Sequence, residues 1–441
     1  MKKLLSLLII TTLFISCEPE IEDFKPSSGD ADFSNYVALG NSLTAGFMNG
    51  ELYETGQQNS FPKMLAEKFQ TAGGGEFKQP LMTDDAGFGN RKVLDYYVDC
   101  LDSTSLAPVP YPEAPSSENF ASIAEEGPFN NMGVPGAKSF HLLGPGYGQA
   151  NPYFGRFMSS PTTTVLQDAM ANQPTFFTLW VGNNDVLTYA ISGGEADSIT
   201  SQQIFAGSIQ LMLDALTGAG AKGAIANIPD ITHIPFFNTV PYNAIPLDNE
   251  TQAQQLNAAY ADYNNGADQM GVDHITFSEG ANPMVIEETD SPYDQLGGMR
   301  QINEGELVLL TIPMDSLKCA GWGTLKPVPD EYILDEQEIT DITQAIAGYN
   351  QTIDAMVNNY GLAKVDFAER LQNAAEDGLR FDGVAYNVEF VSGGLFSLDG
   401  IHMTGQGYAT VANDFIKAIN DTYNASVPTV SVTAYPGIQY P

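Results

Sequence analysis

The residues able to do chemistry in this 441-residue chain gather near its two ends. Gly40-Asn41-Ser42-Leu43-Thr44-Ala45-Gly46 places a serine in a glycine-bounded turn, directly after the apolar run Tyr36 to Leu39. Far downstream, Asp399-Gly400-Ile401-His402 sets a carboxylate three residues before a histidine. A free hydroxyl is a weak nucleophile at neutral pH and needs a base beside it. An imidazole oriented by a carboxylate is such a base, and the carboxylate also stabilises the imidazolium that forms. The three residue types together are the working parts of a hydrolase that acts by acyl transfer. Of the four histidines, His402 in FSLDGIHMTGQGYA is the candidate base; His141, His233 and His274 are expected to be structural or to wall a pocket.

Two segments between these ends complete a pattern. Asn131 to Ala137 reads NMGVPGA, and Val181 to Asp185 reads VGNND. In this order the four segments resemble the blocks of the SGNH/GDSL hydrolases, over Tyr36 to about Phe415. The resemblance implies that Ser42 is the nucleophile and that Asp399 and His402 are the triad acid and base. It implies an oxyanion hole made by the backbone N–H of Ser42, the backbone N–H of Gly136 and the side-chain amide of Asn184. Gly133 is the alternative to Gly136, and Asn183 to Asn184; Asp185 is expected to support the loop. One departure is Asn41, where the family usually carries Asp: hydrogen-bonding capacity is kept and charge is lost.

The elements that must position these residues follow from apolar runs. Tyr36 to Leu39, Thr175 to Val181, Gly223 to Asn227, Leu362 to Phe367 and, more weakly, His274 to Phe277 read as strands. Amphipathic helical stretches cover Ser201 to Leu216, Glu250 to Met270, Glu336 to Tyr360 and Gln406 to Tyr423, with Thr404 near the N-cap of the last. Strands alternating with helices predict an α/β protein, a parallel sheet covered on both faces. The resemblance makes that a three-layer, flavodoxin-like α/β/α domain over residues 34–425. Sites in such sheets lie beyond the carboxyl ends of the strands, where Ser42 and Asn184 both fall. Two long insertions, about 49–130 and 231–335, read either as a cap over the site or as peripheral decoration. In the first, FPKMLAEKF reads as a short helix, while TAGGGEF and the Pro-rich PVPYPEAPSSENF read as loop. Residues 426–441 read as an extended tail.

The chain carries 54 acidic and 18 basic residues, a formal net charge of −36. Nucleic acid is excluded as a partner, because no basic stripe is present to neutralise phosphates. Hydrophobic residues make up 43%, enough to bury a sizeable core. No HExxH, CxxC or clustered-carboxylate motif points to a metal, and no Walker or dinucleotide fingerprint is present, so no cofactor is expected.

Lys2 and Lys3 precede an apolar run, Leu4 to Ile15, which is too short for a confident membrane span and reads as a signal peptide. Leu13-Phe14-Ile15-Ser16-Cys17 resembles a bacterial lipobox, and the acidic Glu18 to Asp23 behind it resembles the surface-export signal of Bacteroidetes lipoproteins. That resemblance implies lipidation at Cys17, membrane anchoring through the N-terminal lipid, an acidic tether over residues 18–33 and an outer-membrane, cell-surface location. An ordinary secretory signal is the alternative. Cys100 and Cys319 are either one disulfide or two separate thiols.

The expectation is a serine esterase or lipase whose substrate is a lipid acyl ester or an acyl group on a glycan. The apolar IPFF and GELVLLTIP segments either line an acyl groove or belong to the core. The alternatives are a non-catalytic surface lipoprotein that binds glycans or a partner, and transfer of the acyl group to an acceptor other than water.

Overall fold

The computed structural model describes residues 24–441, so the signal segment, Cys17 and the first part of the tether lie outside the described residues. Five strands form one parallel sheet: β1 (Tyr36–Gly40), β2 (Asn131–Gly133), β3 (Phe176–Trp180), β4 (Lys222–Ala226) and β5 (Ala363–Val365), in the order β5-β4-β3-β1-β2. β1 and β3 are in register from Tyr36 with Phe176 to Gly40 with Trp180. These two strands are buried along their whole length, as a sheet covered on both faces requires.

Alternation along β3 divides its side chains between the two faces. Phe176 and Trp180 face α2 (Phe61–Gln70) and α7 (Gly405–Tyr423): Phe176 packs edge-on to Phe69 and Tyr423, and Trp180 edge-on to Phe61. The other layer holds α4 (Gln202–Gly218) and α5 (Glu336–Tyr360), joined by the stacked rings of Phe205 and Tyr349 at 4.2 Å. The fold is therefore a flavodoxin-like α/β/α sandwich.

The helix starts are local chemistry. Ser201 caps α4, a reciprocal Asp335–Glu338 capping box opens α5, and Thr404 accepts from Gly407 N–H at the start of α7. Gly361 closes α5 in the left-handed conformation.

Four details depart from expectation. Residues 274–277 are not a strand: Asn257 and Asn264, from preceding helices, bond the backbone of Phe277 and Ile275 and satisfy it without a ladder. The stretch 250–270 is two helices, Glu250–Ala259 and Ala261–Met270, broken at Tyr260. Pro108-Val109-Pro110 is not loop but the end of a strand, Thr104–Pro110, paired antiparallel with Lys92–Val98; a two-stranded ladder has free edges on which proline is tolerated. The last part of the tether is docked: Phe33 stacks on Phe69 at 4.0 Å, and Asp30 N–H donates to Tyr423 C=O.

The insertion at 231–335 has a small core of its own, built on Val240, Ile245, Met284, Ile286 and Val308. A disulfide between Cys100 and Cys319, Cα atoms 6.5 Å apart, joins it to the hairpin of the first insertion. At the C-terminus, Asn413 bonds both the N–H and the C=O of Val430, laying the tail along α7.

Candidate active site

Ser42 follows β1 by one residue and opens the one-turn helix α1 (Ser42–Ala45). Asn41 caps that turn, its Oδ1 accepting Leu43 N–H at 3.1 Å. A neutral amide suffices for that bond. The turn can press against the sheet because Gly40 and Gly133 lack side chains: a Cβ on either would collide with Thr44 or with the Ala45 backbone.

His402 lies at the same edge of the sheet, on the loop before α7. Its Nε2 is 2.8 Å from Ser42 Oγ, and its Nδ1 is 2.9 Å from Asp399 Oδ2. The Asp399 carboxylate is bound on every side. Oδ1 accepts from the N–H groups of Ile401 and His402 and from Ser397 Oγ; Oδ2 also accepts from Gly50 N–H at 2.8 Å. Burial alone would raise its pKa, but the His402 charge and these hydrogen bonds outweigh burial and hold it at about 2. It is ionised at neutral pH.

Gly400 adopts φ +72°, and a Cβ there would lie 2.8 Å from Leu310 and 3.0 Å from Phe236 N. Phe236 N–H in turn donates to Gly400 C=O. The IPFF segment thus braces the loop that carries Asp399 and His402. The Phe47 ring packs 4.5 Å from the imidazole, and Tyr408 OH fixes the Phe47 carbonyl at 2.6 Å.

The other two segments reach the same edge. Asn184 is buried at the start of α3 (Asn184–Ala190), and its Nδ2 donates one hydrogen to Ala137 C=O at 3.0 Å. Asp185 accepts from Ser139 N–H and Oγ at 2.8 and 2.7 Å, tying the Asn131–Ala137 segment to the end of β3. Burial pushes the Asp185 carboxyl up, with Ser139 opposing it. The two candidate glycines differ in their backbones. Gly133 N–H is already given to Asn131 Oδ1, whereas Gly136, at φ +78°, and Ser42 have N–H groups that bond no described acceptor.

The remaining histidines are elsewhere. The Asp-x-x-His spacing recurs at Asp230–His233, so spacing alone does not single out His402; that pair is exposed and 4.0 Å apart. His274 pairs with Asp268 on the surface, and His141 stacks on Tyr147 with its Nδ1 accepting Lys138 N–H.

An apolar cleft of about 770 Å³, counting its open mouth, begins at Ser42, Asn184 and His402. Ile231 and Ile234 of the second insertion line it, while Phe236 and Phe237 are core and the GELVLLTIP segment lies outside it. Sequence reasoning missed Asn49, Gly50, Ser397, Phe47 and Tyr408 as the frame of the site. Nothing in their local sequence marks them, because their partners are hundreds of residues away.

A parallel α/β/α sheet with a serine, an imidazole and a carboxylate in line at its carboxyl edge has the layout of a serine hydrolase. A family model, GDSL-like Lipase/Acylhydrolase, matches residues 36–415. The chain belongs to that family and is a carboxylic-ester hydrolase. No curated protein matches it.

Proposed function

We propose that this protein is a serine esterase in which Ser42, His402 and Asp399 are nucleophile, base and orienting acid. The observation that carries the reading is the unbroken hydrogen-bonded line from Ser42 Oγ through His402 to Asp399, at 2.8 and 2.9 Å. Ser42 Oγ attacks the ester carbonyl as its proton moves to His402 Nε2. The carbon–oxygen bond to the alcohol then breaks, and His402 returns the proton to the leaving oxygen. Water repeats the cycle on the acyl-enzyme: its proton goes to His402, the bond to Ser42 Oγ breaks, and Ser42 regains the proton. Ionised Asp399 offsets the imidazolium charge in both halves. The oxyanion is received by the N–H groups of Ser42 and Gly136 and by the second amide hydrogen of Asn184.

The substrate is a lipid acyl ester or an acyl group carried on a glycan. Lipidation at Cys17 would hold the enzyme at the outer membrane, facing the cell exterior; the lipobox-like LFISC and the acidic segment after it support this. The test is hydrolysis of nitrophenyl esters by the native protein and by Ser42→Ala. Activity lost in the variant is expected; activity unchanged in it overturns the reading.

A further inference from the structure

The cleft beside Ser42 runs between two helices, α7 and α6 (Phe367–Glu376). Thr410, Val411 and Asp414 lie on one face of α7, at helical spacing, and all three line the cleft. Leu371 and Ala374 of α6 face them, with Leu379 and Leu395 closing the sides. Asp414 is nine residues beyond Gly405, which is about 13 Å along the helix axis at 1.5 Å per residue. There the walls cease to be apolar. Arg370 Nε of α6 lies 3.1 Å from Asp414 Oδ2, and the Arg370 guanidinium sits over the Phe381 ring.

We infer that this cleft is the acyl pocket of the enzyme, built for a straight acyl chain of medium length, and that the Arg370–Asp414 pair is its end stop. The inference rests on the esterase reading of Ser42 and deepens it by naming the substrate class. An extended chain advances about 1.2 Å per bond, so about ten bonds span the distance from the loop before α7 to the charged pair. An acetyl group fills only the mouth and leaves the apolar walls uncovered. A chain longer than the pocket must push its terminal methyl against a half-buried ion pair, which offsets part of the energy that the earlier methylenes gained. Arg370 Nε, Arg370 Nη2 and Asp414 Oδ2 are buried without a well-formed hydrogen bond, so this end is polar and incompletely satisfied. Burial pushes the Asp414 carboxyl up to about 6 against the opposing charges of Arg370 and Lys417. On this inference the cleft takes the acid half of the ester, and the alcohol half leaves on the other side of Ser42.

The test is the chain-length profile of kcat/KM on nitrophenyl esters from acetate to palmitate, run with Ser42→Ala beside the native protein. Each buried methylene is worth about a fourfold gain. The expected profile rises by about 10²-fold or more from acetate to a maximum near octanoate to dodecanoate, then falls. Ala374→Trp, which fills the channel, is expected to cut the decanoate-to-acetate ratio about tenfold or more. A flat profile, or one highest on acetate, with activity still lost in Ser42→Ala, overturns the pocket and leaves the serine esterase standing. A rise unbroken to palmitate overturns the end stop. Calorimetry of free decanoate and free acetate with Ser42→Ala protein decides the pocket without turnover. Binding of decanoate but not acetate supports it even if the esterase reading fails, and no binding of decanoate overturns it.

Discussion

The edge of the sheet that carries Ser42 and the insertion that spans residues 231–335 are held together by different physics. At the sheet edge, the loop that carries Asp399 and His402 is tied to a distant part of the chain through hydrogen bonds. Asn49 N–H donates to Ser397 and Gly50 N–H to Asp399, across almost 350 residues. The insertion has ladders of two or three residues and a small separate core. Its outer end is clipped to the first insertion by the Cys100–Cys319 disulfide, by Lys318 to Asp99 at 2.7 Å and by Tyr97 OH to Asp315 at 2.8 Å. Its inner end meets the site only through the segments that touch Gly400 and line the cleft. The core therefore sets the chemistry, and the insertions shape what reaches it. Damage to the two regions should separate accordingly.

The largest effect belongs to the sheet edge. Ser42→Ala should lower kcat/KM on nitrophenyl esters by about 10⁴-fold or more, and Asp399→Asn by about 10³–10⁴-fold, because Asn favours the wrong imidazole tautomer. Asn184→Ala should cost on the order of 10²–10³ in kcat, with KM little changed, since an oxyanion donor acts on the transition state. A loss confined to KM would remove Asn184 from that role.

At the seam between the regions, Gly400→Ala should destabilise the protein by roughly 1–3 kcal/mol in denaturant unfolding, because a positive φ and two close neighbours both oppose a methyl group. It should also lower kcat, since the displaced loop carries His402. At the outer end, replacing Cys100 and Cys319 together by Ser should cost roughly 2–4 kcal/mol in denaturant unfolding. It should leave kcat/KM within about twofold, because the bridge shares no partner with the site. A large loss of activity in that variant would show that the insertions are part of the machinery rather than its enclosure.

The smallest effect is in acid. Asp399 is held at about 2, below its unfolded value of about 3.9, so its contribution to stability is complete above pH about 4. It is lost as pH falls toward 2. Asp399→Asn should flatten that part of the unfolding curve, and an unchanged acid limb would mean that the carboxylate is not held as its bonds imply.

What could be read in the sequence was what local chemistry determines. Ser42 in its turn, the short Asp399–His402 spacing, and the helices announced by Ser201, the Asp335–Glu338 box and Thr404 all depend on neighbours within four residues. Strand β2 was invisible because NMG is three residues long and reads as part of a glycine turn. Residues 274–277 looked like a strand because Ile275 and Phe277 alternate inward, yet the helix asparagines take their backbone bonds. The pairing of Cys100 with Cys319 stayed open because only the fold brings their Cα atoms to 6.5 Å. Arg370 and Asp414 meet for the same reason, across two helices and 44 residues.

The central claim is that Ser42 carries the acyl group. Its most direct test is rapid quenching of the protein with a nitrophenyl ester, followed by digestion and mass spectrometry of the peptide that contains Gly40 to Gly46. The account predicts an added acyl mass on Ser42 in the native protein and none in Ser42→Ala. Hydrolysis that proceeds with no acyl mass on that serine, or with the mass on another residue, would contradict it.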